Sequence, residues 1–222
     1  MNEGWDVKTT AGNYRARTVI LATGAKKRKL ELPEEERFQG KGISYCATCD
    51  GAFYKDRTVA VIGGGNTALA DAEYLSQLCK KVYVIHRSRV FRGDHDTERR
   101  LKANAKVELR VNTLLTGLEG DERLETLKLQ NAVTGEDWEL QVDGLFVAIG
   151  QEPANKAFRS VVQLDPQGYV MAGEDCKTEA PGIFAAGDCR TKKVRQLTTA
   201  AADGTIAAQA AMQYIKIKQK GR

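Results

Sequence analysis

Short runs of apolar, mostly β-branched residues recur along this chain, and most of them end in glycine. Runs of this length without polar alternation predict strands that are buried on both faces, as in a parallel sheet covered by helices. Residues 66–78 join two of these runs and carry apolar residues at helical spacing, which predicts a βαβ unit. The predicted buried strands are Thr18–Ala22, Thr58–Ile62, Lys81–Ile85 and Leu145–Ile149.

A different pattern follows between residues 107 and 141, where short segments are separated by glycine-containing turns. Three segments, Val107–Val111, Thr126–Gln130 and Trp138–Gln141, predict a small antiparallel β-meander. Beyond it, the sequence predicts a short strand at Gly182–Ala186 and an alanine-rich helix from Thr198 to about Lys216.

Composition narrows the class of protein. The 222 residues amount to roughly one and a half domains at about 150 residues each. With 42% hydrophobic and 28% charged residues the chain is globular. The net charge of +5 is spread out, which argues against a nucleic-acid partner. Because the sequence shows neither a membrane-length apolar run nor a secretory signal, we expect a cytoplasmic protein without a membrane partner.

A glycine-rich turn lies between the strand ending at Ile62 and the predicted helix. Residues 63–68 read GGGNTA, which fits the pattern G-x-G-x-x-A. In this setting Gly63 allows a tight turn, Gly65 lets a pyrophosphate approach the backbone, and Ala68 permits close packing of helix on strand. The helix N-terminus favours phosphate oxygens. A turn without a ligand is the alternative.

The end of the next strand indicates which nucleotide binds. An NAD site would carry a carboxylate there, but residues 86–92 read HRSRVFR. Because arginine pairs with the 2′-phosphate of NADP and a carboxylate would repel it, the sequence favours NADPH. An exposed basic loop without a ligand is the alternative.

Two cysteines form a C-x-x-C motif. Cys46 and Cys49 are followed directly by Asp50, a residue placed to exchange protons during thiol–disulfide chemistry. A zinc site is the alternative, but it would need two further ligands at characteristic spacing. Because nicotinamide delivers a hydride, electron transfer to a disulfide also calls for a carrier such as a flavin. The other cysteines stand alone at Cys79, Cys176 and Cys189.

Taken in order, these segments resemble the bacterial low-molecular-weight thioredoxin reductases. The resemblance is carried by GISYCATCDG at residues 42–51, VAVIGGGNTA at residues 59–68 and the run from IHR at residue 85 to FR at residue 92. It extends over nearly the whole chain through VILATGA at residues 19–25, FVAIG at residues 146–150 and GIFAAGD at residues 182–188.

The resemblance implies an α/β protein with Rossmann-like FAD/NAD(P)-binding domains, in which an NADPH domain with the dithiol is inserted into an FAD domain. The expected parts are residues 1–25 (FAD domain), 26–154 (NADPH domain) and 155–222 (FAD domain). Electrons would pass from NADPH through FAD to the Cys46–Cys49 disulfide and then to thioredoxin, in a homodimer. Cys49 would be nearer the flavin, and Asp50 would be the proton-transfer acid.

The resemblance also implies two sets of cofactor-binding residues. Those for NADPH are Gly63, Gly64, Gly65, Asn66, Thr67, Ala68, His86, Arg87 and Arg92. Those for FAD are Thr23, Gly24, Gly187, Asp188, Arg195 and Gln196.

Two departures from the family pattern keep alternatives open. Ser88 stands where members commonly have a second arginine, and no G-x-G-x-x-G segment precedes Trp5. We therefore expect the chain to enter partway through the FAD domain. One alternative is a non-catalytic NADPH-binding module. Another is a related flavin enzyme with a different redox partner, although Arg87 and Arg92 disfavour a ferredoxin-dependent form.

Overall fold

The computed structural model describes residues 4–220, so the outermost ends of the predicted domains, residues 1–3 and 221–222, lie outside the described residues. The strands are β1 Trp5–Thr9, β2 Gly12–Ala16, β3 Val19–Leu21, β4 Ala25–Lys27, β5 Ile43–Ser44, β6 Thr58–Ile62, β7 Lys81–Ile85, β8 Val107–Arg110, β9 Thr113–Glu119, β10 Thr126–Asn131, β11 Asp137–Gln141, β12 Gly144–Val147, β13 Gln151–Pro153 and β14 Ile183–Ala185. The helices are α1 Glu35–Phe38, α2 Ala47–Asp50, α3 Asn66–Leu78, α4 His95–Ala103 and α5 Leu197–Lys220. Short 3-10 turns span Gly51–Tyr54, Lys156–Phe158 and Gly187–Cys189.

The chain folds as two compact units. The inner unit comprises Lys27–Gly150. The outer unit comprises the described residues on both sides of it, 4–26 and 151–220. Assignment of these units to NADPH and FAD stays a prediction.

The inner unit is built on a parallel sheet with the strand order β5-β12-β6-β7-β8. Helix α3 connects β6 to β7, which confirms the predicted βαβ unit. On one face of the sheet, Val59, Val61 and Val84 pack with Leu69 and Leu75 of α3. The other face carries a second apolar cluster that includes Ile85, Leu127 and Leu145. This arrangement confirms the α/β class.

The predicted β-meander exists, but one of its strands was assigned wrongly. The antiparallel sheet has the order β11-β10-β9, so its first strand is Thr113–Glu119. The segment Val107–Arg110 instead pairs in parallel with β7 at the edge of the larger sheet. The reason is helix α4, which the sequence analysis did not identify. A helical crossover between β7 and β8 makes the two strands parallel neighbours.

In the outer unit, β3 and β14 pair in parallel and β1 and β2 form an antiparallel hairpin. Strands β4 and β13 form a further two-stranded sheet. Phe184 of β14 packs with Ala207 and Ala211 of α5. Helix α5 begins one residue before its predicted start and runs four residues beyond its predicted end. Across residues 4–220, the structure shows no helix with the length and apolar character needed to cross a membrane.

Candidate functional site

The C-x-x-C cysteines form a disulfide in the inner unit. Cys46 and Cys49 are bonded, with their Cα atoms 5.3 Å apart. Cys46 is the N-cap of α2, and its Sγ accepts a hydrogen bond from the backbone amide of Cys49 at 3.2 Å. Cys49 is exposed, so the disulfide is open to a reaction partner.

Asp50 is held beside this disulfide by a serine. The hydroxyl of Ser44, at the end of β5, donates to Asp50 Oδ2 at 2.6 Å. Ser44 Oγ also accepts a hydrogen bond from the backbone amide of Cys46 at 3.1 Å. Ser44 is only 5% exposed. The proton-transfer acid predicted from sequence therefore has a fixed orientation at the dithiol.

A buried glutamate anchors the segment before the dithiol. Glu35 accepts hydrogen bonds from the Tyr45 hydroxyl and from the backbone amides of Leu30, at 2.9 Å, and Glu31, at 3.0 Å. Burial and the hydrogen bond to Glu35 raise the pKa of Tyr45 well above its usual value. Sequence reasoning missed Glu35, because nothing separates it by pattern from the neighbouring glutamates.

The glycine turn has the geometry that its sequence predicts. Gly63 has φ +149°, and a Cβ there would lie 2.3 Å from the carbonyl oxygen of Ala148. A Cβ on Gly65 would meet nothing within 4 Å. Gly65 is also the N-cap of α3 and makes no side-chain cap. The first amides of α3, from Asn66, Thr67 and Ala68, therefore face an open approach to the backbone.

The loop after β7 is fastened to this turn. The Arg92 amide donates to the Gly64 carbonyl at 2.7 Å, and the Asp94 amide donates to Asn66 Oδ1 at 2.7 Å. His86 lies beneath the turn, since a Cβ on Gly64 would come within 2.1 Å of its ring.

The His86 ring is itself buried. It stacks on Phe91 with 5.0 Å between ring centroids, and Nε2 lies 3.2 Å from the Val90 carbonyl. Burial lowers the pKa of His86, and the charges of Arg92 and Arg87 lower it further against the opposing effect of the Val90 carbonyl. The neutral His86 ring therefore packs against Gly64 and supports the glycine turn. Direct contact of His86 with a phosphate stays a prediction.

Three arginines of this loop point away from the core. Arg87, Arg89 and Arg92 are exposed, and none of them forms an ion pair or a side-chain hydrogen bond within the described residues 4–220. Their guanidinium groups are therefore available to an anion beside the glycine turn.

The sheet brings the dithiol and the glycine turn to one edge. Cys46 follows β5, Gly63 follows β6 and His86 follows β7, and these strands are parallel. Because β5 and β6 both flank β12, the dithiol and the turn are two strand spacings apart, about 10 Å. The carboxyl edge of a parallel sheet is the usual place for a ligand.

The outer unit has a turn of its own after β14. Gly187 has φ +80°, and Asp188 Oδ1 is a buried carboxylate oxygen without a hydrogen-bond partner within the described residues. Thr23 and Gly24 follow β3, the parallel neighbour of β14, so they lie at the same edge. The Thr23 hydroxyl donates to Asn155 Oδ1 at 2.7 Å. A buried acceptor without a donor is costly unless a ligand supplies one.

A buried ion network supports this turn. Arg190 binds Asp203 of α5 through two hydrogen bonds, of 2.8 and 2.7 Å, and Lys192 binds Asp203 at 2.8 Å. The Gly187 amide also donates to Asp203, at 2.9 Å. Burial raises the pKa of Asp203, but these hydrogen bonds outweigh it and hold the pKa well below its usual value. Sequence reasoning missed the network, because no pattern of residues marks these charged side chains as buried and paired.

Two further predicted residues lie at the start of α5. Arg195 stacks on the Tyr169 ring, with its guanidinium carbon 4.0 Å from the ring centroid. It also donates to the carbonyl oxygens of Asp188, at 3.4 Å, and Arg190, at 3.2 Å. The backbone amide of Gln196 donates to the Thr199 hydroxyl at 3.1 Å. The structure thus brings Asp188 and Arg195 together.

The remaining cysteines are buried and unpaired with one another. Cys189 Sγ donates to the carbonyl oxygens of Leu21 and Ala186, and Cys176 Sγ donates to the carbonyl of Asp203. Burial raises the pKa of Cys79 to about 11. Within residues 4–220, no group of three or more His, Cys, Asp or Glu side chains is arranged to hold a metal ion.

Comparison with known proteins assigns this architecture. The family described as pyridine nucleotide-disulphide oxidoreductase matches residues 3–204. A thioredoxin reductase of Listeria innocua is 41% identical over 218 residues, which are 96% of this chain and 68% of the relative. One of Peptoclostridium acidaminophilum is 39% identical over 216 residues, 95% of this chain and 69% of the relative.

Solved structures agree with the sequence comparisons. The crystal structure of thioredoxin reductase from Streptococcus pyogenes superimposes with a TM-score of 0.90 at 37% identity, covering 97% of this chain and 71% of that one. The chain therefore belongs to the thioredoxin reductases within the pyridine nucleotide-disulphide oxidoreductase family.

Proposed function

We propose that this chain takes electrons from NADPH, passes them through FAD to the Cys46–Cys49 disulfide, and delivers them to thioredoxin. The observation that carries the proposal is the shared sheet edge in the inner unit. There an accessible disulfide, with an oriented carboxylate at its side, lies at the same edge as an open glycine turn, two strand spacings away. Neither feature alone would indicate a nicotinamide-dependent disulfide reductase.

The inner unit would bind NADPH. The backbone amides of Asn66, Thr67 and Ala68 would hold the pyrophosphate, which can approach because the space at Gly65 is open. The exposed guanidinium groups of Arg87 and Arg92 would bind the 2′-phosphate. Gly63, Gly64 and His86 would set the shape of the turn rather than supply charge, because His86 is buried and its pKa is lowered.

The outer unit would bind FAD. The buried, unpartnered Oδ1 of Asp188 fits a hydroxyl donor of the flavin side chain. Thr23, Gly24 and Gly187 lie at the same sheet edge and would approach the cofactor through their backbone. Arg195, held against Tyr169, and Gln196 would contact it from the start of α5. When bound, FAD supplies an acceptor that takes a hydride from NADPH and releases an electron pair to sulfur.

The dithiol chemistry follows from the inner unit. An electron pair that enters the disulfide breaks the S–S bond, and the two sulfurs become thiols by taking up two protons, one of them through Asp50. One thiol then gives up its proton, and the resulting thiolate attacks the disulfide of the acceptor and forms a mixed disulfide, while the released acceptor sulfur takes up a proton. The second thiolate displaces the acceptor, which leaves with two electrons and two protons while Cys46 and Cys49 are oxidised again.

The partner, assembly and location are parts of the same proposal. Thioredoxin is the expected acceptor because the relatives are named for its reduction, and exposed Cys49 gives a protein disulfide access. We expect a homodimer because the family resemblance implies one. We expect it in the cytoplasm because a reducing compartment keeps such a dithiol in use for catalysis.

Thioredoxin-dependent oxidation of NADPH tests this function. Purified chain supplied with FAD should oxidise NADPH when thioredoxin is present, and Cys46→Ser or Cys49→Ser should abolish turnover. Cys79→Ala is the matched control, because Cys79 is a buried cysteine of the same unit without a disulfide. Turnover that survives Cys49→Ser would contradict the proposal. So would a flavin-loaded, folded protein that never reduces thioredoxin.

A further inference from the structure

The buried hydroxyl of Ser44 is hydrogen-bonded both to the carboxylate of Asp50 and to the backbone of Cys46. Ser44 Oγ donates to Asp50 Oδ2 at 2.6 Å and accepts from the Cys46 amide at 3.1 Å. It also lies 3.4 Å from the Cys46 carbonyl oxygen. Among the described residues, Ser44 provides the side-chain hydrogen bond to Asp50, so the orientation of this carboxylate depends on it.

We propose that Ser44 is a positioning residue that lets Asp50 take up and release a proton at the dithiol without moving. The proposal rests on the role of Asp50 proposed above. It concerns a residue of the inner unit alone.

A hydroxyl suits this task because it has one proton and two acceptor positions. When Asp50 is ionised, Ser44 donates to it, as observed. When Asp50 is protonated, its O–H can donate to Ser44 Oγ, and the serine proton can turn to the Cys46 carbonyl, which is within reach at 3.4 Å. Both protonation states of Asp50 are thus hydrogen-bonded in one geometry.

Two tyrosines lie near Asp50. Tyr54, on the following 3-10 turn, interacts with its charge, since burial together with Asp50 raises the pKa of Tyr54. The ring of Tyr74 on α3 lies against Gly51, the next residue. On its own helix Asp50 has the Cys46–Cys49 pair as neighbours. None of these groups replaces the donor that Ser44 provides to the carboxylate.

Removal of the hydroxyl should therefore leave the Asp50 carboxylate without the donor that orients it, and proton transfer at the dithiol should slow. The readout is reoxidation of the reduced dithiol by oxidised glutathione, which needs neither flavin nor NADPH. A cysteine thiolate attacks the glutathione disulfide, one glutathione thiol leaves, and the second cysteine displaces the other. Two electrons and two protons pass from the dithiol to two glutathione molecules.

The experiment measures the rate of this reaction as a function of pH, by quenched alkylation and mass spectrometry on the dithiothreitol-reduced 222-residue chain. Ser44→Ala and Ser44→Gly should react about tenfold more slowly than wild type in weakly acidic buffer, the effect of losing one hydrogen bond to a charged group. The rates should converge in alkaline buffer, where the thiols ionise unaided. Ser44→Thr keeps the hydroxyl and should restore the wild-type profile.

Two reference variants separate the possible failures. Ser76→Ala removes another buried hydroxyl of the inner unit, which bonds Glu73 and Asn104, and should leave the profile unchanged. Asp50→Asn should weaken the dependence of the reaction rate on pH in acidic buffer. If Asp50→Asn changes the profile and neither Ser44→Ala nor Ser44→Gly does, the role of Ser44 is overturned while that of Asp50 stands. If Asp50→Asn has no effect, both roles are overturned.

Discussion

The two units of this chain each present a glycine-containing turn after a parallel strand, but they stabilise that turn in different ways. In the inner unit the turn follows the central strand of a five-stranded sheet, with apolar clusters on both faces. In the outer unit the turn follows β14 in a two-stranded sheet, and buried Arg190, Lys192 and Asp203 lie behind it. The outer unit also leaves Leu197 87% exposed.

This difference indicates where each unit is vulnerable. Burial of apolar side chains stabilises the inner unit, so its free energy of unfolding should change little when a surface charge is altered. The outer turn depends on a desolvated ion network, which strongly destabilises a protein when one partner is removed. The following changes test that contrast, from the largest expected effect to the smallest.

The largest effect should come from Asp203→Asn in the outer unit. This change leaves the buried Arg190 and Lys192 without their common anion, and a broken buried pair costs about 3–5 kcal/mol. Hydrogen exchange should rise in β3 and β14 and stay unchanged in β6 and β7, and FAD affinity should fall. Asp175→Asn is the matched control, because its pair with Lys177 is exposed and worth about 1 kcal/mol or less. If Asp203→Asn raised hydrogen exchange equally in both units, the proposed difference between the units would be wrong.

Two glycine substitutions should separate folding from binding in the inner unit. Gly63→Ala places a Cβ 2.3 Å from the Ala148 carbonyl at φ +149°, so it should destabilise this unit by about 2 kcal/mol or more. Gly65→Ala points into open space and should leave the unfolding free energy within about 1 kcal/mol of wild type. It should nevertheless weaken NADPH binding, because the new methyl group obstructs the phosphate. Urea unfolding and NADPH titration distinguish the two variants, and unchanged NADPH affinity in Gly65→Ala would argue against a phosphate at this turn.

Charge reversal in the loop after β7 should change the choice of nucleotide without changing the fold. Arg87→Glu combined with Arg92→Glu should raise the NADPH KM by about tenfold or more, because a charge-assisted pair with the 2′-phosphate is lost. The NADH KM should change much less. Arg99→Glu in α4 is a control, since Arg99 is an exposed arginine of the same unit that pairs with Asp96. Equal changes for both nucleotides would contradict the assignment.

The smallest effect concerns pH and His86. Burial lowers its pKa below the ordinary 6.5, so the unfolded chain binds a proton first as the pH falls. Stability of the inner unit should therefore decrease from about pH 6.5 downward, by about 1 kcal/mol or less. His86→Phe cannot be protonated and should show a shallower decrease in urea unfolding, whereas the exposed His95→Gln should match wild type. Identical slopes for all three proteins would show that His86 does not contribute.

What could be predicted from the sequence depended on how local each structural signal is. The limits of β6, α3 and β7 could be predicted to the residue, because apolar spacing and the glycine turn both mark them. Strand β8 was misassigned because the sequence analysis did not identify helix α4, the crossover that makes β8 a parallel neighbour of β7. Glu35 and Ser44 could not be recognised, since their roles depend on hydrogen bonds that only the folded chain brings together.

Mass-spectrometric counting of thiols on Cys46 and Cys49 after anaerobic addition of NADPH to the FAD-loaded chain tests the central claim most directly. The account predicts that both cysteines become alkylatable when NADPH is added and stay protected when FAD is left out. Cys79, Cys176 and Cys189 provide an internal reference, because they are free in either state. A disulfide that remains oxidised while NADPH is consumed and the flavin is reduced would contradict the account.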